Sequence, residues 1–335
     1  MKRLSIFGGL VAAALIFACS DNAELKPSVR YLQAFDREFQ IQVYDTSKSS
    51  NEINRAMFAV ERELYRLEGI YGEADTSIIS QLNRNSWKAP LSADVRDFFI
   101  RSQAYFLESD GLVDITLRPL YDLYDFDGRQ YVPSAEELRS ALDQSGAKLL
   151  QINDNRLRLN GRRLDLRPLL RGHILRMLGD KLKQLAINDF LLTTAGAIEF
   201  DWQHPQSPAK IYIRHPRHEG KYFGMLEVAT SSGVATEADF QKYFMHNGRR
   251  YHTALSPQSG LPADNMIAIT VLSNNAEVAD FYCSYLFQME LQAAREIVLM
   301  DPTLEALIIF SGEDGMRHWL SPGLRDKFEL YEEDA

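Results

Sequence analysis

The sequence predicts an α+β fold whose mixed, largely antiparallel sheets carry packed helices. Three observations lead there. Segments that alternate with a period of two are mixed with segments of helical period, in an order that favours hairpins over parallel crossovers. A two-residue turn signal, Asn160-Gly161, stands between apolar alternations. The 335 residues, 45% hydrophobic and 25% charged, are enough for a sizeable core and show no composition break that would divide them.

The chain opens with Lys2-Arg3, an apolar run from Leu4 to Phe17, and Ala18-Cys19-Ser20. That run is shorter than the roughly 20 residues of a bilayer span and reads as a signal peptide over residues 1–18. Its end, Leu15-Ile16-Phe17-Ala18-Cys19, resembles a bacterial lipobox, in which the cysteine is acylated and becomes the mature terminus. Plain cleavage is the alternative, because Phe17 is bulkier than the residue usual there. Cys19 is the expected lipidation site, residues 19–29 a tether carrying Pro27, and residues 30–335 one folded domain. The expected address is the periplasm, with the anchor in the inner or the outer membrane. With Cys19 acylated only Cys283 remains, so the exported domain has no intramolecular disulfide and depends on its core. A formal charge of −9 argues against a nucleic-acid surface, which needs a concentrated basic face.

Along the domain, the alternation of Phe39, Ile41 and Val43 predicts a strand within Tyr31–Tyr44. Ser50 or Asn51 is placed to cap a helix on which Ile53, Met57, Val60, Leu64 and Leu67 share a face. Ser92 opens a second helix through Val95, Phe98, Phe99, Tyr105 and Phe106, which delivers the chain to Gly111. Ser134-Ala135-Glu136-Glu137 is a capping box for a third helix, ending near Gly146. Leu157–Leu159 and Arg162–Leu166 flank Asn160-Gly161 as hairpin arms, and a helix runs from about Leu169 to Ala186. Strands are expected at Phe190–Thr193, Lys210–Arg214, Met225–Thr230, Tyr251–Leu255, Met266–Leu272 and Leu304–Phe310. Two helices, Ala276–Gln288 and Leu291–Met300, precede the last of them. The stretch from Gly111 to Leu120, with the aromatic run Tyr121–Phe126 behind it, suits a shaped wall for a flat ligand; from physics alone it is a strand leaving a turn.

Five segments carry a family resemblance. Asp75-Thr76-Ser77-Ile78-Ile79-Ser80-Gln81-Leu82-Asn83 is similar to D-S-E-I/L-S-R-F/L-N, and Gly111–Leu120 to G-A-F-D-V/I-T-V-G-P-L. Asp165–Arg176 stands where the pattern reads D-L-G-G-I-A-K-G-Y-A-V-D, with Ala195-Gly196-Ala197 in place of the later G-G-E. Val234–Phe244 is similar to A-T-S-G-D-Y-x-x-Y-F, running on to Pro257-Gln258-Ser259-Gly260, like P-R-T-G. Ala279–Ser284 is similar to A-D-x-x-S/T-T. In this order and spacing they resemble the ApbE family, FAD:protein FMN transferases that are periplasmic lipoproteins of α+β, T-fold-related architecture.

That resemblance implies FAD as substrate, Mg²⁺ on its pyrophosphate, and transfer of FMN to a Thr or Ser of an acceptor protein with release of AMP. Such phosphoryl transfer depends on positioning and charge neutralisation. The implied metal ligands are Asp280, Ser284 and the carbonyl of Leu170. Asp280 and Ser284, four apart in a helical pattern, would share a face, and both offer hard oxygens. Asp114 and Thr116 map to the flavin side, Ser77 and Asn83 to the loop near the dinucleotide, and Arg171 and Thr236 to ligand-contacting positions. Asn83 as a turn residue and Thr236 as a strand-end hydroxyl are the plain alternatives.

The departures from the pattern are many. Arg171 replaces Lys, a fork in place of a compact ammonium. Arg167-Pro168 replaces a Gly pair and blocks close backbone approach. Asp36-Arg37 replaces Gly-Thr, Ala197 a Glu, Arg176 an Asp, and Glu237-Ala238 a Ser-Gly. Alignment on Pro257 puts Thr253 where the family has His and Ser256 where it has Asp, with His252 one residue early. Neighbouring side chains of a strand face opposite ways, so His252 serves as base only if a bulge re-aims it. Two main readings stand side by side: an FMN transferase, and a lapsed member acting as a flavin-binding or assembly lipoprotein. Hydrolysis of FAD to FMN and AMP is a third.

Overall fold

The structure, a computed structural model, describes residues 26–331 except Ser86, Lys88 and Ser231, together with the backbone of residues 16–19. The predicted leader, apart from that backbone, and the Cys19 side chain lie outside the described residues. In chain order, β1 (Ile16–Cys19), β2 (Ser28–Ala34) and β3 (Arg37–Val43) precede α1 (Ser50–Tyr71), α2 (Ile78–Asn83), α3 (Ala93–Glu108), α4 (Arg118–Tyr124) and α5 (Ala135–Asp143). A small hairpin of β4 (Gln151–Asn153) and β5 (Arg156–Arg158) leads to α6 (Arg167–Gln184). Strands β6 (Phe190–Thr194), β7 (Ala197–Asp201), β8 (Ala209–Arg214), β9 (Tyr222–Val228) and β10 (Ser232–Ala238) follow, then β11 (Tyr243–His246), β12 (Arg249–His252) and β13 (Ala268–Ser273). The described chain finishes with α7 (Ala276–Phe287), α8 (Leu291–Met300), β14 (Glu305–Gly312), β15 (Gly315–Leu320) and β16 (Phe328–Leu330).

Eight strands form the central sheet in the order β15-β14-β13-β10-β7-β6-β3-β2, every neighbouring pair antiparallel. A second antiparallel sheet has the order β1-β8-β9-β16. This is the α+β organisation that the sequence predicts. Both faces of the central sheet are apolar, and alternation decides which layer each side chain joins. Phe190 and Leu192 join Phe39, Ile41 and Val43 in a cluster with α1, α3 and α6, while Leu191 between them packs with β8 and β9. Along β14, Ala306 and Ile308 meet α7 and α8, and Leu307 and Ile309 meet the second sheet. The result is three layers: helices, central sheet, second sheet. Among the described residues no helix is long and apolar enough to cross a membrane.

Caps and turns explain most element ends. The cap of α1 is one residue earlier than predicted: Ser49 accepts the Glu52 N–H, and Glu52 accepts the Ser49 N–H at 2.9 Å. The predicted box at Ser134 and Glu137 starts α5. No hairpin forms on Asn160-Gly161. That turn exists, with φ of 49° and 82°, but the paired arms are β4 and β5, joined by Asp154-Asn155 at 48° and 57°. Beyond Gly161 the chain bridges Leu117 through Arg163, in parallel, and so is drawn to the loop before α4.

The Gly111–Leu120 stretch is not a strand. Gly111, at φ +80°, ends α3 by donating its N–H to the Phe106 carbonyl at 2.8 Å. The chain then turns through Asp114 and enters α4, with Pro119 in its first turn. Strands β7, β10 and β15 and helix α2 were not among the predicted elements. In β7 and β10 the small residues Ala197, Gly233 and Ala235 weaken the strand signal, yet α7 packs there because they are small.

Candidate active site

A small cleft of ≈ 70 Å³, open to solvent, lies where the loop before α4, the start of α6, the end of β10, the chain after β12 and α7 converge. Its walls include Leu112, Asp114, Leu117, Arg167, Pro168, Glu237, Thr253 and Ser284. Four of the five segments that carry the resemblance thus meet at one place.

Behind the cleft the close approach of α6 and α7 builds a charged cluster. Gly172 permits that approach, since a Cβ there would overlap the Ala276 carbonyl and the Asp280 Cβ. Asp280 is fully buried, and Arg171 donates to its Oδ1 through Nε at 3.0 Å and Nη2 at 2.6 Å. The other oxygen, Oδ2, accepts the Gly172 N–H at 2.9 Å. Arg171 also donates through Nη1 to the Thr236 carbonyl at 3.1 Å and through Nη2 to Glu237 at 3.2 Å. Burial works against the Arg171 charge, but Asp280 and Glu237 outweigh it and hold the guanidinium above its ordinary pKa. Burial pushes the Glu237 carboxyl up, with Arg171 opposing. Half-buried Arg37, at the start of β3, faces the same group; burial and then Arg171 lower its pKa. Two cations therefore balance two carboxylates.

These residues do not fit a divalent cation as they are arranged. Both Asp280 oxygens are engaged by N–H donors, and the Ser284 hydroxyl donates to the Pro168 carbonyl at 2.8 Å. The carbonyl of Leu170 belongs to α6, where helical geometry directs it to the N–H four residues on. Mg²⁺ requires oxygen ligands at ~2.0–2.1 Å in near-octahedral array. Asp280 and Ser284 do share a face of α7, but they clasp α7 to α6. Among the described residues no group of three or more His, Cys, Asp or Glu could hold a metal.

The other candidates fall into place as follows. Asp114 accepts Thr116 N–H at 2.7 Å, Thr116 Oγ1–H at 2.6 Å and, on Oδ2, Ala147 N–H at 3.2 Å. Thr116 Oγ1 in turn accepts Gly146 N–H at 2.7 Å, so the pair fixes the cleft wall to the loop after α5. Burial raises the Asp114 pKa. Ser77 caps α2, accepting Ser80 N–H at 3.1 Å and donating to the Gly72 carbonyl at 2.6 Å. Asn83 reads the Leu164 backbone on both sides, at 3.0 Å and 2.6 Å. Neither Ser77 nor Asn83 is among the cleft-lining residues. Thr236 pairs with Thr270 across the sheet, hydroxyl to hydroxyl at 2.8 Å, and only its carbonyl reaches Arg171.

Strand β12 contains no bulge: its ladder with β11 runs from His246↔Arg249 to Tyr243↔His252 without a register shift. Thr253 consequently faces the cleft. His252 lines a separate polar cleft with Arg217, Asp239 and Asp264, bonds the Ala263 carbonyl through Nε2 at 2.7 Å, and has its pKa lowered by burial.

Four charged groups escaped sequence reasoning. Glu237 and Arg37 registered only as departures from a pattern, and Arg167, ion-paired to Asp165 with its guanidinium 3.0 Å over the Tyr121 ring, only as a blocked glycine. Glu199 of β7 gave no signal. It is buried, accepts the Ala276 N–H at 2.5 Å, and burial pushes its pKa up to about 7.

The chain is similar to known proteins over most of its length. The family model described as ApbE family matches residues 35–308. The FAD:protein FMN transferase of Salmonella typhimurium is 25% identical over 244 residues, covering 70% of this chain and 69% of that protein. That of Vibrio cholerae is 23% identical over 309 residues, covering 89% and 88%. Among solved structures, the ApbE protein of Thermotoga maritima has a TM-score of 0.78 at 22% identity, covering 89% of this chain and 98% of that one. The flavinyl transferase ApbE of Pseudomonas stutzeri, in its apo form, has a TM-score of 0.76 at 24% identity, covering 89% and 95%. Since a single family model accounts for the helical layer, most of the central sheet and every segment that lines the cleft, this chain belongs to the ApbE family.

Proposed function

We propose that this protein takes FAD into the cleft between α6, α7 and the chain after β12, and transfers FMN to a Thr or Ser hydroxyl of an acceptor protein. The observation that carries this reading is the convergence of four family segments on that one cleft. In the reaction, the acceptor oxygen bonds to the FMN phosphorus, the bond from that phosphorus to the bridging oxygen breaks, and AMP leaves with that oxygen. The acceptor proton passes to solvent, because Thr253 is not a base. Leu112 and Leu117 offer an apolar wall, and Arg167 stands as a cation at the rim. Such a site works by positioning. The exported address belongs to the same proposal: Cys19 carries the lipid, the mature second sheet keeps β8, β9 and β16 without Ile16–Ala18 of β1, and the domain works in the periplasm on a neighbouring acceptor.

A second reading rests on a specific observation. The Arg171–Asp280–Glu237 cluster leaves no open cation position, and Thr253 stands where an imidazole would assist. On that reading the protein binds flavin and does not turn it over. One experiment separates the two. The soluble domain is incubated with FAD and a Thr-bearing acceptor, and the acceptor is weighed for covalent FMN while AMP is assayed. Adduct plus AMP supports transfer, FAD binding without either supports the binding module, and absence of FAD binding by titration overturns both.

A further inference from the structure

The donors of Arg171 are spent on a set of oxygens that would otherwise suit a metal. Its planar fork spans Asp280 Oδ1, the Thr236 carbonyl and Glu237 Oε2, all hard oxygens, with the Ser284 hydroxyl on the next turn of α7. Two neighbouring features fit this fork specifically. Gly196 has φ +81°, and a Cβ there would lie 2.7 Å from Arg171 Nη1, so the guanidinium occupies space that a side chain at residue 196 would need. Gly172 brings Asp280 within reach while its own N–H takes the remaining oxygen. Charge agrees with geometry: Arg171 and Arg37 already balance Asp280 and Glu237, so a divalent ion would add two unmatched charges to a buried cluster.

We infer that Arg171 is a built-in cation holding the position of a divalent ion between Asp280 and Glu237, so that the wild-type cluster binds no divalent cation and removal of the guanidinium creates a site that does. The inference concerns the cleft of the proposed function but rests on the cluster's own atoms, and its test contains no flavin. Loss of the flavin reading would leave it standing.

The test is titration of Mn²⁺ into the purified domain, followed by the electron paramagnetic resonance signal of the free ion. In the wild type, no Mn²⁺ site that depends on Asp280 is expected. Binding that disappears in Asp280→Asn overturns the inference, whereas binding that survives Asp280→Asn lies elsewhere on this acidic surface and agrees with it. Arg171→Ala frees Asp280 Oδ1, Glu237 Oε2 and the side of the Thr236 carbonyl that Gln241 Nε2, at 2.7 Å, does not take, and one Mn²⁺ per chain is expected, at least about tenfold tighter than any wild-type binding, with a melting temperature that rises with the metal. Should Arg171→Ala fail to fold, Arg171→Gln serves. It fills part of the same space but carries no charge and cannot span the three oxygens, so it gains the ion too. A folded Arg171 variant that gains no Mn²⁺ site overturns the inference.

Discussion

His252 and Thr253 are consecutive residues that open onto different clefts. Thr253 lines the one shared with Ser284 and Glu237, and His252 the one shared with Arg217 and Asp264. The regular register of β12 enforces this division, because successive side chains of an extended chain project to opposite sides.

Thr253→His puts an imidazole on the cleft side without altering the register. If transfer proceeds as proposed, its rate rises on the order of 10²-fold, the contribution of a placed general base. Covalent FMN on the acceptor, followed over time by mass, reports it. An unchanged rate would show that proton removal does not limit this protein.

Removing one partner of the Arg171–Asp280 pair leaves the other charge buried and unmatched. Asp280→Ala is expected to cost about 3–5 kcal/mol, whereas the double change Arg171→Met with Asp280→Leu costs less than the single one. Urea melts of the four chains measure the coupling. Additive costs would mean that the two side chains are not a unit.

Glu199 makes stability depend on pH near neutrality. Its folded pKa of about 7 lies above the ordinary value of 4.5, so the folded state keeps a proton that the unfolded state has released. Its contribution is complete below pH 4.5 and is lost as pH rises towards 7. At pH 8 the cost is on the order of 3 kcal/mol. Glu199→Gln retains an acceptor for the Ala276 N–H and should stabilise the protein at pH 8 but not at pH 4.5. Parallel melts at the two pH values test this; an equal shift at both would place the effect in packing.

Gly172→Ala forces α6 and α7 apart, since the new methyl has backbone and not a flexible side chain in its way. A loss of about 3 kcal/mol or more is expected, with the Arg171–Asp280 contact strained in consequence. A melting temperature within a degree or two of wild type would refute the close approach.

The fold class was readable because alternation and helical spacing are strong over long segments such as α1, α6 and β13. Signals at the cleft were weaker. Small residues in β7 and β10 suppress the strand pattern where helices come closest, and the Asn160-Gly161 turn, real in itself, does not reveal that Arg163 bridges to Leu117. The candidate residues were legible as chemistry but not as partnerships. Asp280 and Ser284 were correctly placed on one face of a helix, yet which groups they would meet depended on Arg171, 109 residues away. Arg171 itself registered only as a substitution, since spacing cannot show how many oxygens a fork will span.

The central sheet also sets the order in which the molecule can be built. Strand β3 hydrogen-bonds to β6, so residues 44–189 must be looped out before the two halves of the sheet can join. Closing so long a loop is entropically costly and makes non-local pairing slow. The helices of that loop can form early from local contacts. The cleft cannot, because α6 from inside the loop must meet α7 and β10 from beyond it. A chain caught part-way through folding would therefore hold folded helices and no cleft, which takes shape only once the strands beyond β6 have closed on the sheet.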